Sequence, residues 1–269
     1  MHEAAARLGV HYMTAYRYVR TGRLPARNDG TRWQVRVVDL ERLQAGAAPS
    51  AARRGRPDWD ATRHRLLPTL LSGDEAGAWS LVETVLGRGA DPDDVHLHVL
   101  APTLREIGEQ WASGALDIAD EHRASVVATR IVGRLGPQFW RPGRRAGNVV
   151  VAGVEGDRHA LPVAMLADLL RSRGLGVVDL GADTPVASLA GALGEAGDVL
   201  GVCVSVSIHE RFAAVRRTTR TLRERFPDLA VYVGGPAVTD SETAHRLGSD
   251  AYASDGAELA ALIRTRVHQ

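Results

Sequence analysis

The C-terminal half of the chain is organised by one stretch, Val149-Val-Val-Ala-Gly-Val-Glu-Gly-Asp157-Arg158-His159. Its β-branched run predicts a strand, and the glycine-bearing loop that follows carries a histidine two residues after an aspartate. In a parallel α/β sheet, ligands bind in the loops after the carboxyl ends of the strands. A histidine there, with a carboxylate to fix its tautomer, is built like a metal ligand. Because an Asp-x-His triplet alone is common, the rest of the chain has to support this interpretation.

From residue 148 onward, strand and helix patterns alternate at the spacing of a doubly wound parallel sheet. The third strand ends in Ser205-Val206-Ser207 and the fourth in Gly234-Gly235. Because parallel strands end at one edge, we expect both loops beside the Asp157–His159 loop. The predicted strands are 148–152, 177–180, 199–205, 230–233 and 251–253, and the predicted helices are 161–173, 186–196, 208–225, 239–247 and 257–264.

Residues 58–137 have helical apolar patterns at 62–71, 74–87, 91–112 and 118–135, which predict an antiparallel four-helix bundle. Asp74 and Asp91 are good N-cap residues, and Pro92 suits the first position of a helix. Trp111 falls at a helix end before a glycine-containing loop, and Glu121-His122 follows in the next helix. On residue type alone, these are a core tryptophan and surface charges.

Residues 1–45 predict a winged helix-turn-helix. Two short helices, 2–9 and 13–21, each end at a glycine, a hairpin forms around Asp29-Gly30, and a short helix follows from Asp39. The second helix of such a motif enters the DNA major groove, where arginine, threonine and tyrosine contact bases and phosphates. The candidate DNA contacts are Thr14, Tyr16, Arg17, Arg20, Arg27 and Arg32.

The charge distribution supports this interpretation of the N-terminal region. The formal net charge is only +1, but residues 1–56 hold eleven arginines against four acidic residues. A concentrated positive segment is the footprint of a nucleic-acid-binding module. Small, Pro/Gly-bearing, basic stretches predict linkers at 46–57 and 138–147, leaving 148–269 as the α/β domain.

The composition and motifs argue against several classes of protein. There is no apolar run near the roughly 20 residues needed to span a bilayer, and no signal peptide is visible, so we expect no membrane association. The single cysteine, Cys203, lies in an apolar strand and suits the cytoplasm. No substrate barrel, nucleophile–base set or phosphate loop is visible, so we expect no enzymatic activity.

The N-terminal region resembles the helix-turn-helix of the MerR and excisionase families. The resemblance rests on Glu3-Ala-Ala, Leu8-Gly-Val, Thr14-Ala-Tyr-Arg17, Gly22-Arg-Leu-Pro-Ala, Arg32-Trp33 and Asp39-Leu40. It implies that the partner is double-stranded operator DNA.

The C-terminal domain resembles the cobalamin-binding domain of methionine synthase and methylmalonyl-CoA mutase. Three elements occur in the family's order: residues 157–162, which begin with Asp157-x-His159, then Ser205-x-Ser207 and Gly234-Gly235, separated by 42 and 26 residues. The resemblance implies that His159, oriented by Asp157, replaces the cofactor's own benzimidazole below cobalt. The serines would contact the inserted nucleotide tail, and the glycines would leave room for it. Pro162 stands where the family has glycine, and Ser207 also departs from its pattern.

Trp111, nine residues, then Glu121-His122 is similar to the signature of the CarH/LitR adenosylcobalamin photoreceptors, and the resemblance covers nearly the whole chain. It implies a multi-domain α and α/β protein with a winged helix-turn-helix, a four-helix cap and a Rossmann-like cobalamin-binding domain. Trp111, Glu121 and His122 would hold the adenosyl group. In the dark, the family forms a cofactor-dependent tetramer that represses transcription; light breaks the cobalt–carbon bond and dissociates the tetramer.

One position departs from this family: Ala112 replaces the histidine that captures cobalt after photolysis. His122 or water is the candidate substitute, and His96 and His98 are weaker ones. Two alternatives remain open. The first is a cobalamin-sensing regulator that does not respond to light, and the second is a corrinoid carrier protein for a methyltransferase.

Overall fold

The computed structural model describes residues 2–20, 24, 26–28, 33–44, 57–140, 143 and 145–267. The N-terminal part is a helix-turn-helix followed by a two-stranded antiparallel hairpin and a third helix. Gly9, at φ +66°, ends the first helix as predicted. The predicted turn at Asp29-Gly30 and residues 46–56 of the first linker lie outside the described residues. The elements are α1 His2–Leu8, α2 Tyr12–Arg20, β1 Ala26–Asn28, β2 Trp33–Val35 and α3 Val37–Gln44.

The second part is the predicted helical bundle. Asp58, Asp74 and Asp117 cap three of its helices, each accepting a hydrogen bond from a backbone N–H three residues later. Leucine, isoleucine and valine side chains fill the space between the helices. The elements are α4 Trp59–Leu71, α5 Glu75–Gly87, α6 Pro92–Val95, a π turn His96–Leu100, α7 Ala101–Ala112, α8 Ile118–Leu135 and a 3₁₀ turn Gly136–Phe139.

The helix predicted as continuous over 91–112 is interrupted by the π turn His96–Leu100. A π turn shifts the helical register by one residue, and such turns are frequent at functional sites. Here it begins at His96, whose side chain is fully buried.

The third part is a parallel sheet in the order β4-β3-β5-β6, with helices packed on both faces. The β-branched runs predicted as strands are buried in it. The elements are β3 Asn148–Gly153, α9 Ala160–Ser172, β4 Gly176–Asp179, α10 Val186–Glu195, β5 Val199–Ser205, a 3₁₀ turn His209–Arg211, α11 Phe212–Arg225, β6 Val231–Gly234, α12 Ser241–Arg246 and α13 Gly256–Val267.

The predicted fifth strand at 251–253 is wrong, because these residues are not in a strand. Side chains take the place of a ladder beside β6. Asp250 Oδ2 accepts from Val231 N at 2.7 Å, and Ser249 Oγ accepts from Val233 N at 2.8 Å. These two contacts satisfy N–H groups of β6 that a fifth strand would otherwise have paired.

The bundle packs directly on α9 of the sheet domain. Met165 belongs to the bundle's apolar cluster, and Leu161 and Ala164 pack against it. Phe139 is also buried in this cluster, so it belongs to the bundle rather than to the linker predicted for 138–147. None of the helices in the described segments has the length and hydropathy of a membrane span.

Candidate functional site

The three predicted loops meet at one edge of the sheet. In the register of the parallel strands, Gly153 pairs with Ser205, and Ser205 pairs with Gly234. The loops that leave these three positions carry Asp157 and His159, Ser207, and Gly235 respectively. The predicted convergence is therefore confirmed by the strand register.

Asp157 and His159 form a hydrogen-bonded pair, called the loop pair below. His159 Nδ1 lies 2.6 Å from Asp157 Oδ1, and the same oxygen accepts from His159 N at 3.1 Å. Asp157 Oδ2 accepts from Ser207 N at 2.6 Å, which ties the loop to the end of β5. The carboxylate is buried, whereas half of the His159 side chain is exposed. The His159 ring is therefore held by Asp157 at Nδ1, and its other side is exposed to solvent.

The charges of the loop pair fix its tautomer. Burial alone would raise the pKa of Asp157, but the hydrogen bonds from His159 and Ser207 lower it overall. An ionised carboxylate only accepts hydrogen bonds, so Nδ1 carries the proton and a neutral His159 presents the lone pair of Nε2. The Asp157 hydrogen bond also raises the pKa of His159, with smaller contributions from the charges of Asp157 and Glu121. The arrangement suits a metal ligand.

The serine and glycine loops form a close-packed pocket edge beside this pair. Gly235 has φ +108°, and a Cβ there would lie 2.5 Å from Val206 O and 2.9 Å from Ser205 Oγ. A Cβ on Gly234 would meet nothing within 4 Å, so open space lies next to it. The Ser207 hydroxyl is buried without a hydrogen-bond partner within the described residues. A buried polar atom of this kind normally has a partner, which a bound ligand could supply.

Pro162 is the third residue of α9. The first N–H groups of a helix have no partner within the helix, so a proline there removes no hydrogen bond. The backbone of the loop pair is therefore compatible with this departure from the family pattern.

The bundle brings a second set of predicted residues towards the loop pair. Glu121 contributes to the raised pKa of His159, which places its carboxylate within electrostatic range of that ring. The Glu121 carboxylate also accepts from Ser125 Oγ at 2.6 Å. The His122 side chain is 70% exposed, and its Nε2 lies 3.7 Å from Glu121 Oε2. Trp111 is 45% exposed, so it is not the core tryptophan that residue type alone suggests.

His96 does not serve as an open ligand. Its Nε2 lies 3.2 Å from Asp168 Oδ2 on α9, its ring stacks on Phe139, and its side chain is fully buried. The prediction that His96 is a candidate for capturing cobalt is therefore wrong, because the ring is fully buried and Asp168 engages its Nε2, although its Nδ1 has no partner within the described residues. His98 is half-exposed and stacks on Trp59 at the start of α4.

The helix-turn-helix carries the remaining candidates. Thr14 and Tyr16 lie half-buried on α2, and the Tyr16 ring stacks on Tyr12 with centroids 6.3 Å apart. Arg17 and Arg20 belong to α2 and Arg27 to β1, but their side chains are outside the description. Arg32 lies wholly outside the described residues.

Sequence reasoning missed Asp183, which supports the loop pair from the neighbouring loop. It is one of two described non-glycine residues with positive φ, at +52°. Its Oδ1 accepts from Gly156 N at 2.6 Å, and its N–H donates to Asp157 O at 2.8 Å. A single aspartate after β4 gives no sequence signal for this role, because its contacts depend on the crossing of two loops.

The comparisons agree with these three parts. Residues 62–135 and 147–263 each match a family described as B12 binding domain, and residues 2–48 match a helix-turn-helix domain family. The chain is 31% identical over 207 residues to the HTH-type transcriptional repressor CarH of Myxococcus xanthus, covering 74% of this chain and 67% of that protein. It is 28% identical over 263 residues to the repressor CarA of the same organism, covering 88% and 86%.

Corrinoid proteins also match. The chain is 25% identical over 205 residues to trimethylamine corrinoid protein 1 of Methanosarcina acetivorans, covering 71% of this chain and 90% of that protein. The solved monomethylamine corrinoid protein of Methanosarcina barkeri has a TM-score of 0.67 at 20% identity, covering 77% of this chain and 99% of that one. This structural match shows that the fold of the bundle and sheet domain is shared.

The fold, the site and the matched domains define a class: a helix-turn-helix regulator that binds DNA and cobalamin. Within that class, the chain belongs to the CarH family of cobalamin-binding transcriptional regulators. The residues present fit the cofactor, because one histidine nitrogen is open at the sheet edge and the buried Ser207 hydroxyl lacks a partner beside the open space at Gly234.

Proposed function

We propose that this protein is a repressor that senses adenosylcobalamin and light, with the cofactor held between His159 and the Trp111–His122 segment of the bundle. The observation that carries the proposal is that the bundle packs on α9, the helix whose N-cap is His159, so the two motifs lie on neighbouring elements. The charge of Glu121 on the bundle also contributes to the raised pKa of His159, the half-exposed histidine of the sheet edge.

Each residue of the proposed site has a defined task. His159 Nε2 would bind cobalt from below, and Asp157 would keep the proton on Nδ1. Ser205 and Ser207 would offer hydroxyl groups to the nucleotide tail, for which Gly234 and Gly235 would leave room. Trp111 would pack against the adenosyl group, and Glu121 and His122 would help to hold it.

Binding and loss of the upper ligand would change which apolar surface of the bundle is exposed to water. Adenosylcobalamin supplies a cobalt–carbon bond that light breaks. Trp111 and Ile118 expose large apolar side chains on either side of the loop that joins α7 and α8. An adenosyl group would cover part of this surface, and its loss would expose it to water. We infer that this change is transmitted to a cofactor-dependent dimer or tetramer, in which paired helix-turn-helix heads bind operator DNA.

The response to light would differ from that of relatives with a histidine after the tryptophan. Ala112 has no group that binds metal, so it cannot trap the cofactor after the adenosyl group leaves. His122 stays the first candidate among the histidines of the bundle, because it belongs to the Trp111–His122 segment and its side chain is 70% exposed.

Operator DNA gel shifts with adenosylcobalamin, in the dark and after green light, test the proposal. We expect a shifted complex in the dark, its loss after illumination, and a parallel fall in molar mass by light scattering. His159→Ala should give neither effect. Equal shifts in dark and light would contradict light sensing and favour the regulator that responds to the cofactor alone.

A corrinoid carrier protein is the second candidate. The coverage of 90% of a trimethylamine corrinoid protein favours it, because almost the whole of that protein matches 71% of this chain. The helix-turn-helix head disfavours it. Methyl transfer from a partner enzyme to purified cob(I)alamin-loaded protein would support this second candidate.

We further infer that the protein is a cytoplasmic, non-enzymatic regulator. Its single cysteine is unsuited to nucleophilic chemistry, because burial raises the pKa of the Cys203 thiol to about 12. The proposed domains are a DNA-binding head at 1–45, the bundle at 58–139 and the cobalamin-binding domain at 148–269.

A further inference from the structure

A second histidine–carboxylate pair lies at the contact between the bundle and the sheet domain. His96, at the start of the π turn, places Nε2 at 3.2 Å from Asp168 Oδ2 on α9. The two side chains are 0% and 6% exposed. Arg171 Nη1 donates to the other Asp168 oxygen at 3.2 Å, and the His96 ring stacks on Phe139 at 4.7 Å. His96 and Asp168 are called the interdomain pair below.

This pair forms only when the two domains are docked. Apolar side chains of α9 lie beside it, with Met165, Leu161 and Ala164 against the bundle core. Apolar burial is non-directional and tolerates small rotations. A buried hydrogen bond does not tolerate such rotations. A donor and an acceptor that become misaligned inside a protein lose their hydrogen bond and cannot bond to water instead. The interdomain pair is therefore the contact that selects one docking angle.

The polar contacts at the rim of this interface are weaker determinants. Arg173 Nη2 lies 3.1 Å from Asp93 Oδ2, but the arginine side chain is 45% exposed. Exposed ion pairs of this kind contribute little. Ser172 Oγ also donates to Asp93 Oδ2 at 2.9 Å. We expect both contacts to form once the buried pair has fixed the angle at which the two domains dock.

The docking angle matters because His96 and Asp168 lie far along their helices from Trp111 and His159. A small rotation at the interdomain pair therefore becomes a large displacement of those two residues. Asp168 lies nine residues along α9 from His159, which is the N-cap of that helix. This is about 13 Å at 1.5 Å per residue. His96 lies fifteen residues before Trp111 along α6, the π turn and α7, or about 22 Å. A rotation of about 10° at the pair would move Trp111 by about 4 Å.

We propose that His96 and Asp168 are positioning residues that set the distance between Trp111 and His159, and so select the upper ligand of the cofactor. The proposal rests on the function proposed above, in which the cofactor lies between these two side chains. It gives a role to a buried polar pair among apolar neighbours, where two leucine side chains could fill the same space.

Replacement of both residues tests the proposal. In His96→Leu/Asp168→Leu, the interface stays apolar and filled, so we expect folded protein that binds cobalamin with the His159-ligated spectrum. Its preference for adenosylcobalamin over methylcobalamin, measured as the ratio of the two Kd values, should fall about fivefold or more. Asp168→Asn keeps an amide oxygen that accepts from His96 and turns its N–H₂ towards Arg171, which is partly exposed and can move away, so the ratio should stay closer to wild type than in the leucine variant. Arg173→Ala is the matched rim control and should also retain it.

A measurement on the cofactor-free protein gives a second readout. Spin labels at Ser113→Cys and Glu210→Cys, both exposed positions, would report the distance from the Trp111 end of the bundle to the sheet edge. The one native cysteine, Cys203, is buried and unreactive. We expect a narrow distance distribution in the otherwise unchanged protein and a broader one with the leucine pair. If that pair prevents folding, Asp168→Ala should show the same broadening.

The outcomes separate this inference from the proposed function. If wild type shows neither His159-dependent binding nor a preference for adenosylcobalamin, both are wrong. If wild type shows both but the leucine variant keeps the ratio and the narrow distribution, only the positioning role is overturned.

Discussion

The loop pair and the interdomain pair are both histidine–aspartate hydrogen bonds attached to α9, yet they differ in which ring nitrogen is engaged. In the loop pair, Asp157 holds Nδ1 of a half-exposed ring, so Nε2 is directed away and available. In the interdomain pair, Asp168 holds Nε2 of a fully buried ring. The same two residue types thus form the proposed cobalt ligand in one place and a domain contact in the other. Burial and the choice of nitrogen decide between these roles.

Removal of the exposed histidine should have the largest effect, and only on the cofactor. His159→Ala removes the lower ligand, so we expect adenosylcobalamin affinity to fall more than about 100-fold and the His-ligated spectrum to vanish. The stability of the cofactor-free protein should change by less than about 1 kcal/mol, because the side chain is half-exposed. Spectrophotometric titration and urea unfolding measure the two effects.

His98→Ala is the matched control for this variant, because its side chain is also half-exposed. It should leave the spectrum and the affinity unchanged. A wild-type spectrum in His159→Ala would mean that another group binds cobalt.

Removal of the buried carboxylate should have the opposite signature. Asp168→Ala leaves the Nε2–H of His96 buried without an acceptor, so we expect a loss of about 2 kcal/mol in the free energy of unfolding. The His159-ligated spectrum should persist at saturating cofactor. Glu83→Ala, at an exposed helical position, should change stability by less than about 0.5 kcal/mol. Equal stability of Asp168→Ala and wild type would remove the energetic distinction between the pairs.

The acid of the loop pair should have a smaller effect than its histidine. In the wild type, one oxygen of Asp157 accepts from His159 and the other accepts from Ser207 N. In Asp157→Asn, the N–H₂ group replaces one of these oxygens and therefore faces a hydrogen-bond donor. We expect about a tenfold loss of cobalamin affinity, which is typical when the partner of a metal-bound histidine is replaced. An unchanged affinity in the same titration would show that the tautomer of His159 is fixed by other contacts.

The smallest expected effect is a shift in pH dependence. A proton on Nε2 excludes cobalt, so affinity should fall as pH drops through the pKa of His159. Asp157 and, to a lesser extent, Glu121 raise that pKa. Glu121→Gln should therefore move the midpoint of the affinity profile slightly to lower pH, and Asp157→Asn should move it further in the same direction. Glu83→Gln should leave it in place, and a shift to higher pH in either variant would contradict the assignment.

The sequence predicted local structure well where one pattern was strong. Aspartates at helix starts and β-branched runs predicted the bundle helices and four of the five strands within a few residues. The strand at 251–253 could not be excluded, because it depends on whether Ser249 and Asp250 use their side chains to satisfy β6. The π turn at His96 was likewise invisible, since nothing in the local periodicity marks it.

In the candidate site, too, some features could be predicted from the sequence and others could not. The order and spacing of Asp157, His159, Ser205 and Gly234 are properties of the chain, and strand pairing brings such positions to one sheet edge in any parallel α/β domain. The sequence by itself therefore determined the loop pair and the family. Only the tertiary structure decided that Asp183 braces that pair and that Asp168 engages His96, because residues 72 positions apart meet only when two domains dock. Such contacts depend on a single packing angle, which no local pattern encodes.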